Sequence, residues 1–215
     1  MIEDPVMVSY SWQRSLLWAV ARTQIMRKIT GRASSWAWRA LDGPIVPCER
    51  CRPQAWIEFD KTRHLEYSVD LEDKALPFGA VNGGLLKIRA RTRSLDSIPE
   101  RYIYFATVRE DVDRTIESEG IFINLSPDTT EAEATMIQAI RGTCRALLLE
   151  LIPFSENKRS PIGLIIAPEE NGRETGRYVR IGMFEIPQRD RSETEVETPY
   201  RRALFDRLPL RDISI

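Results

Sequence analysis

Histidine is almost absent: the 215-residue chain has one, His64, beside three cysteines, and that scarcity excludes His-rich metal sites and leaves no second imidazole for a relay. Net charge is also missing. Lys and Arg number 31 against 32 Asp and Glu, for a formal charge of −1, without the basic excess usual in proteins that track nucleic acid or anionic membranes. No run approaches the roughly 20 apolar residues of a membrane-spanning helix. The most apolar stretches, 146–152 and 162–168, are only strand-length. Three cysteines do not build a disulfide framework in a domain of this size. The first residues, Met-Ile-Glu-Asp-Pro, are acidic where a secretory signal is basic. These absences lead us to expect a reduced, cytoplasmic protein without cofactor or metal. With 42% hydrophobic residues, the chain carries ample material for a core.

What is present is mostly strand signal. Residues 12–22 space Trp12, Leu16, Leu17, Ala19 and Val20 as a helix would, and Leu41-Asp42-Gly43-Pro44 is a turn. Beyond it the period falls to two. Leu65, Tyr67, Val69 and Leu71 alternate with His64, Glu66, Ser68, Asp70 and Glu72, and Leu86, Ile88 and Ala90 alternate with Lys87, Arg89, Arg91 and Arg93. Between these runs, the glycines and asparagine of 77–84 suit backbone with positive φ. Further strands are expected at 102–108, 121–125, 144–152, 162–167 and 178–186. Asp128-Thr129-Thr130-Glu131 opens a capped helix that ends at Gly142, with Met136, Ile137 and Ile140 as its apolar side. Thr198-Pro199 opens a last short helix through Leu208.

Seven or eight short strands with few helices predict a mainly β (α+β) fold. We expect an antiparallel β-sandwich or partly open barrel with two to four short helices. The expected organisation is an N-terminal helical segment over 1–35 and a single β-rich domain over 36–215. A polar, mobile loop is expected near 188–198.

The chemistry-bearing candidates each have a plainer reading. Cys48-Glu49-Arg50-Cys51 is a lone C-x-x-C, and a structural zinc needs four ligands. Only Cys144 and His64 remain, both distant in sequence. His64 lies on the polar side of its strand with no nucleophile motif to serve. Asp111, Asp113, Glu117 and Glu119 have the look of a solvated helix face. Gly83-Gly84 lacks the spacing of a dinucleotide site and suits the start of a strand or a bulge. Lys87, Arg89, Arg91 and Arg93 could follow phosphates, but the alternating positions are aliphatic, which gives no stacking platform. Pairing with the preceding acidic strand would instead set opposite charges across from each other, each pair worth about 0.2–1 kcal/mol. Trp36 and Trp38 share parity and suit core packing below the Asp42-Gly43 turn.

Several segments together resemble one family. Trp36-Ala37-Trp38-Arg39-Ala40-Leu41-Asp42-Gly43-Pro44, preceded by Leu16-Leu17-Trp18, is similar to a segment of fungal heterokaryon-incompatibility (HET) domain proteins. So is Pro77-Phe78-Gly79-Ala80-Val81-Asn82-Gly83-Gly84-Leu85-Leu86-Lys87-Ile88-Arg89. Gly163-Leu164-Ile165-Ile166 and Tyr178-Val179-Arg180-Ile181-Gly182-Met183-Phe184 follow in register. The likeness is to the region after the HET domain. Ser9-Tyr10-Ser11-Trp12 imitates the first signature of that domain, but Gln13 stands where the family has Gly, and its later signatures are missing. The resemblance implies a non-catalytic accessory or interaction domain in non-self recognition and regulated cell death. Its partner would be another protein, or the HET domain that the 1–35 segment would join, and not nucleic acid or membrane. The expected protein contacts are Trp12, Leu16 and Trp18, as an exposed apolar patch. The alternatives are a small-molecule-binding β-barrel, a carboxylate-based hydrolase, or a truncated gene product without independent function.

Overall fold

The computed structural model describes residues 18–20, 27–28, 41–42, 45–47, 64–73, 81–105, 123–152, 162–169, 176–186, 204–205 and 207–215. In chain order the strands are β1 (Trp18–Val20), β2 (Arg27–Lys28), β3 (Leu41–Asp42), β4 (Ile45–Pro47), β5 (His64–Leu71), β6 (Val81–Ser94), β7 (Ile103–Phe105) and β8 (Ile123–Pro127). Helix α1 (Thr130–Ile140) follows, then β9 (Leu147–Ile152), β10 (Ile162–Pro168), β11 (Tyr178–Glu185) and β12 (Leu210–Ser214). Single 3-10 turns occupy Leu95–Ser97 and Glu100–Tyr102. The fold is mainly β.

Small antiparallel pairs join β1 to β4 and β2 to β3. The main sheet runs β12-β6-β9-β10-β11-β8-β7, with β5 also on β6. Every pair in it is antiparallel except β7–β8, which is parallel. Long β6 shares its edges unequally. Leu86 exchanges both backbone hydrogen bonds with Ile215, beyond the end of β12, while the N–H of Leu95, nine residues on, donates to Ala146 beside β9. An odd separation turns the amide to the opposite edge. Strand β12 therefore takes one edge, and β5 and β9 lie end to end along the other.

The sheet then curls on itself. Alternate residues from five successive strands meet in one apolar cluster: Leu86, Ile88 and Ala90; Leu147, Leu149 and Leu151; Ile162, Leu164 and Ile166; Met183; Ile213 and Ile215. A single parallel bridge, Arg177 to Ser214, links the start of β11 to β12 across the seam. Five strands joined by antiparallel pairs leave an odd closure, so the last pair has to be parallel. One bridge closes little of it, and the result is a partly open barrel with buried cluster residues as its filling.

The outer face of the same strands makes a second core. Leu148, Ile165, Ala167, Ile181 and Phe184 pack with Leu125, with Leu204 and Phe205, and with Ala132, Met136 and Ala139 of α1. The helix forms where Thr129 accepts the Ala132 N–H at its N-cap. It ends at Gly142, whose φ of 73° is the left-handed conformation favoured at that position. Its buried side is Ala132, Met136 and Ala139, with Ile137 and Ile140 only half-buried, a rotation from the expected Met136, Ile137 and Ile140.

Several expectations change. Residues 18–20 of the expected 12–22 helix are strand β1, paired to residues 45–47. Trp18-Ala19-Val20 is an aromatic and β-branched run whose spacing also permits a helix, and the pairing partner decides. Gly83 and Gly84 run inside β6 without positive φ, while the bulge expected there is present: the register passes from Asp70–Gly83 to Leu71–Val81 with Asn82 as the extra residue. Of the expected last helix through Leu208, the described residues 204–205 and 207–208 form turns and not helix: Leu204 and Phe205 are buried, and the Leu208 N–H closes a turn on the Phe205 carbonyl. Strand β12 has no counterpart among the expected strands. The loop near 188–198 lies outside the described residues.

Two glycines are fixed by close approach. A Cβ on Gly163 would collide with the Leu149 carbonyl and come within 2.7 Å of the Phe184 ring. On Gly182 it would strike the Ser126 carbonyl and lie 2.6 Å from Met136 Cε. Backbone atoms cannot yield, so Gly163→Ala is expected to lower unfolding free energy by about 3 kcal/mol or more. Gly142→Ala, with open space around it, should lose only about 1–2 kcal/mol to its backbone conformation. Urea denaturation of both variants checks the ranking.

Candidate functional site: the charged strip of β6

The outward positions of β6 carry the densest ionic chemistry among the described residues. Pairing with the preceding strand was one way for this basic row to be neutralised. Three of its four cations meet a carboxylate, one on β5 and one each on β12 and β9, and the fourth binds uncharged acceptors. Lys87 Nζ donates to Glu66 Oε2 at 2.7 Å, and in register the two stand opposite. Arg89 holds Asp212 of β12 through Nε–Oδ1 at 2.8 Å and Nη2–Oδ2 at 3.3 Å. Arg91 Nη1 donates to Glu150 of β9 at 3.2 Å. Arg93 Nη1 donates to the Leu204 carbonyl at 2.9 Å, and its Nε to Ser97 Oγ at 3.1 Å.

The strip grades from water to interior. The Lys87 and Arg89 side chains are 42% and 48% exposed and Arg91 25%, whereas Glu150 is only 2% exposed. The outer pairs are therefore screened, and Lys87–Glu66 contributes about 0–1 kcal/mol. Glu150 is different: it is buried on β9 opposite Gly163, and its carboxylate accepts a hydrogen bond from Arg91, the kind of partner that a buried polar group requires. Asp70 stands across from Gly83, not from a cation, so only Glu66 of the expected acidic row meets the basic one.

A second ionic pair is fully interior. Arg180 of β11 grips Asp128, ahead of α1, through Nε–Oδ2 at 2.9 Å and Nη2–Oδ1 at 3.1 Å. Burial pushes the Asp128 carboxyl up and the Arg180 guanidinium down, and their attraction and hydrogen bonds oppose both shifts. A guanidinium keeps its proton in proteins, and the bidentate geometry is that of an ion pair. The pair ties β11 to the start of the helix, where the Asp128 N–H donates to the Ile181 carbonyl.

Of the other candidates, Cys144 is half-buried; its Sγ donates to the Thr135 carbonyl at 3.2 Å, and burial pushes its thiol up. That is the environment of an inert thiol, since reactivity needs thiolate. His64 begins β5 across from Ile88. Trp18 lies in β1, whose backbone approaches β8 and β11. The other candidates, Trp12, Leu16, Trp36, Trp38, Cys48, Cys51 and the acidic cluster over 111–119, lie outside the described residues, as do the side chains of Trp18 and His64. Among the described residues, no three His, Cys, Asp or Glu gather as metal ligands, and no helix is long and apolar enough to cross a membrane.

Four residues of the two later resemblance segments come together. Gly163 stands opposite Phe184 on β10 and β11. Arg180 is in the interior ion pair, and Gly182 seats Met136 of α1. These segments stand out in the sequence as a pattern, but their partners do not, because Asp128 and Met136 lie some fifty residues upstream of Arg180 and Gly182. No family model, curated protein or solved structure matches this chain.

Two outcomes follow. Asp128→Asn or Arg180→Met leaves a buried charge unpaired and should cost about 3–5 kcal/mol, while the double variant Asp128→Leu/Arg180→Met should recover most of that loss; a urea double-mutant cycle measures it. The hydrogen bond from Arg89 holds the exposed Asp212 carboxyl below its usual range. Its stabilising contribution is complete above the ordinary carboxylate pKa of about 3.9 and disappears as pH falls through the lowered value. Urea midpoints measured downward from pH 5 should thus decline less steeply in Asp212→Asn than in the parent chain.

Proposed function

We propose that this chain is a non-catalytic accessory and interaction domain of the fungal heterokaryon-incompatibility type, working in the cytoplasm in non-self recognition and regulated cell death. The observation that carries the reading is how the resemblance segments are used. Gly163 and Gly182 make room for a carbonyl and a neighbouring side chain, Phe184 fills the outer core, and Arg180 is engaged inside the protein. Residues shared for such reasons specify a scaffold, whereas a shared active site would turn its polar groups toward a ligand. The β6 cations likewise spend their hydrogen bonds on Glu66, Asp212, Glu150 and the Leu204 carbonyl, which supports a protein partner over a phosphate backbone.

A scaffold of this kind acts by contact. Its partner is a HET domain, held through the N-terminal segment with Trp12, Leu16 and Trp18 as anchors, aromatic side chains being the usual hot spots of such interfaces. Calorimetric titration of the purified chain with a separately purified HET domain should give a saturable complex. Trp12→Ala and Trp18→Ala should each weaken it at least tenfold, about 1.4 kcal/mol. A parent chain that is folded by circular dichroism and yet shows no binding sinks the proposal.

A further inference from the structure

We infer that β12 is an exchangeable strand and that two copies of this chain associate by swapping it. The strand is attached unevenly. Its ladder to β6 runs from Leu210–Arg91 to Ser214–Lys87. Across the seam, among the described residues, its one backbone bridge is to Arg177, and Ile213 and Ile215 share the inner cluster with Met183. Leu210, Arg211 and Asp212 are exposed, and Ile213 and Ile215 alone enter the barrel filling. Releasing β12 therefore breaks one ladder with the two Leu86–Ile215 bonds that extend it, one bridge, the Arg89–Asp212 pair and the burial of Ile213 and Ile215, where removal of any interior strand would break two ladders.

The chain just before β12 is anchored. Phe205 is 1% exposed and stacks on Phe184 with ring centroids 5.8 Å apart. Leu204 is buried beside it, and its carbonyl is held by Arg93. Between Phe205 and Leu210 the chain has four residues, ending in Leu208 and Pro209, in which to turn back; the turn rests on the Leu208 N–H to Phe205 carbonyl bond of 2.8 Å. A short reversing hinge ahead of a strand that has a single ladder is the geometry that invites exchange. Straightened, the same four residues carry β12 away from its own β6. A second copy then supplies an identical β12, with Ile213, Ile215 and Asp212 in the same places. The ladder, the bridge and the ion pair all form again between copies, and the hinge alone sets the balance.

The test uses the full-length chain with Cys48, Cys51 and Cys144 changed to Ser. Arg89→Cys is made in one preparation and Asp212→Cys in another; these positions are register partners across β6 and β12, at a spacing a disulfide can span. Exchange predicts that mixing the two, concentrating them and then oxidising gives a covalent heterodimer on non-reducing gels. It also predicts that light scattering of the unmodified chain shows a dimer share that grows with concentration. Inserting Gly-Ser after Leu208 relaxes the hinge and should lower the dimer share about tenfold. A chain that stays monomeric at every concentration and forms no mixed disulfide overturns the inference. So does a dimer that forms without the mixed disulfide, because its β12 has not crossed.

Discussion

Fourteen unbroken residues of strand are more than any one neighbour here can cover, and the way β6 distributes its two edges organises the molecule. Its first half pairs with β5 and its last residues with β9, while β12 takes the other edge. Because side chains alternate, the same strand must satisfy two opposite environments along its length. Leu86, Ile88 and Ala90 fill the barrel, and the intervening cations face outward. The barrel curls because the aliphatic row needs cover and the strands themselves supply it. The outer row is then left to find acceptors on whatever lies beside it, so Lys87, Arg89 and Arg91 meet carboxylates on three different strands and Arg93 meets the Leu204 carbonyl and the Ser97 hydroxyl.

The two cores divide the labour. The inner cluster is aliphatic save for Met183, which suits a narrow space packed from all sides. The outer one uses Phe184, Phe205 and the small-residue face of α1, and it has to accommodate the carboxylate of Glu150 and the ends of the helix as well. On β6 the ionic groups face outward, whereas Arg180, in register with Ile166 of the inner cluster, is held inside by its pairing with Asp128. Arg180 reads as architecture for this reason: it stands at the register shift between β10 and β11, and Asp128, ahead of the helix, is the neighbour that it fits.

Much of the strand content was legible in the sequence because it obeys simple periods. The alternation at 64–72 and 86–93 marks β5 and β6, the apolar runs at 147–152 and 162–168 mark β9 and β10, and Thr129 with Gly142 brackets α1. The departures share one cause. Trp18-Ala19-Val20, the terminal strand Leu210–Ser214 and the partners of Arg89 and Arg180 are all decided by residues far away in sequence. A five-residue stretch such as Leu-Arg-Asp-Ile-Ser has no helical or strand signature strong enough to stand alone; it becomes a strand because β6 offers it an edge.

The bulge in β11 has a consequence for how this fold is inherited. Ile165 faces Gly182 while Ile166 faces Arg180, so Ile181 is supernumerary, and both Ile181 and Phe184 reach the outer core although one number is odd and the other even. The inside-outside code of the strand slips by one beat at that point. A sequence that kept perfect alternation through the segment would send half of its side chains to the wrong core. Any chain that shares this architecture must therefore carry the same syncopation, with a residue lacking a side chain directly after it, and that rhythm is a more exacting signature than the identity of the apolar residues around it.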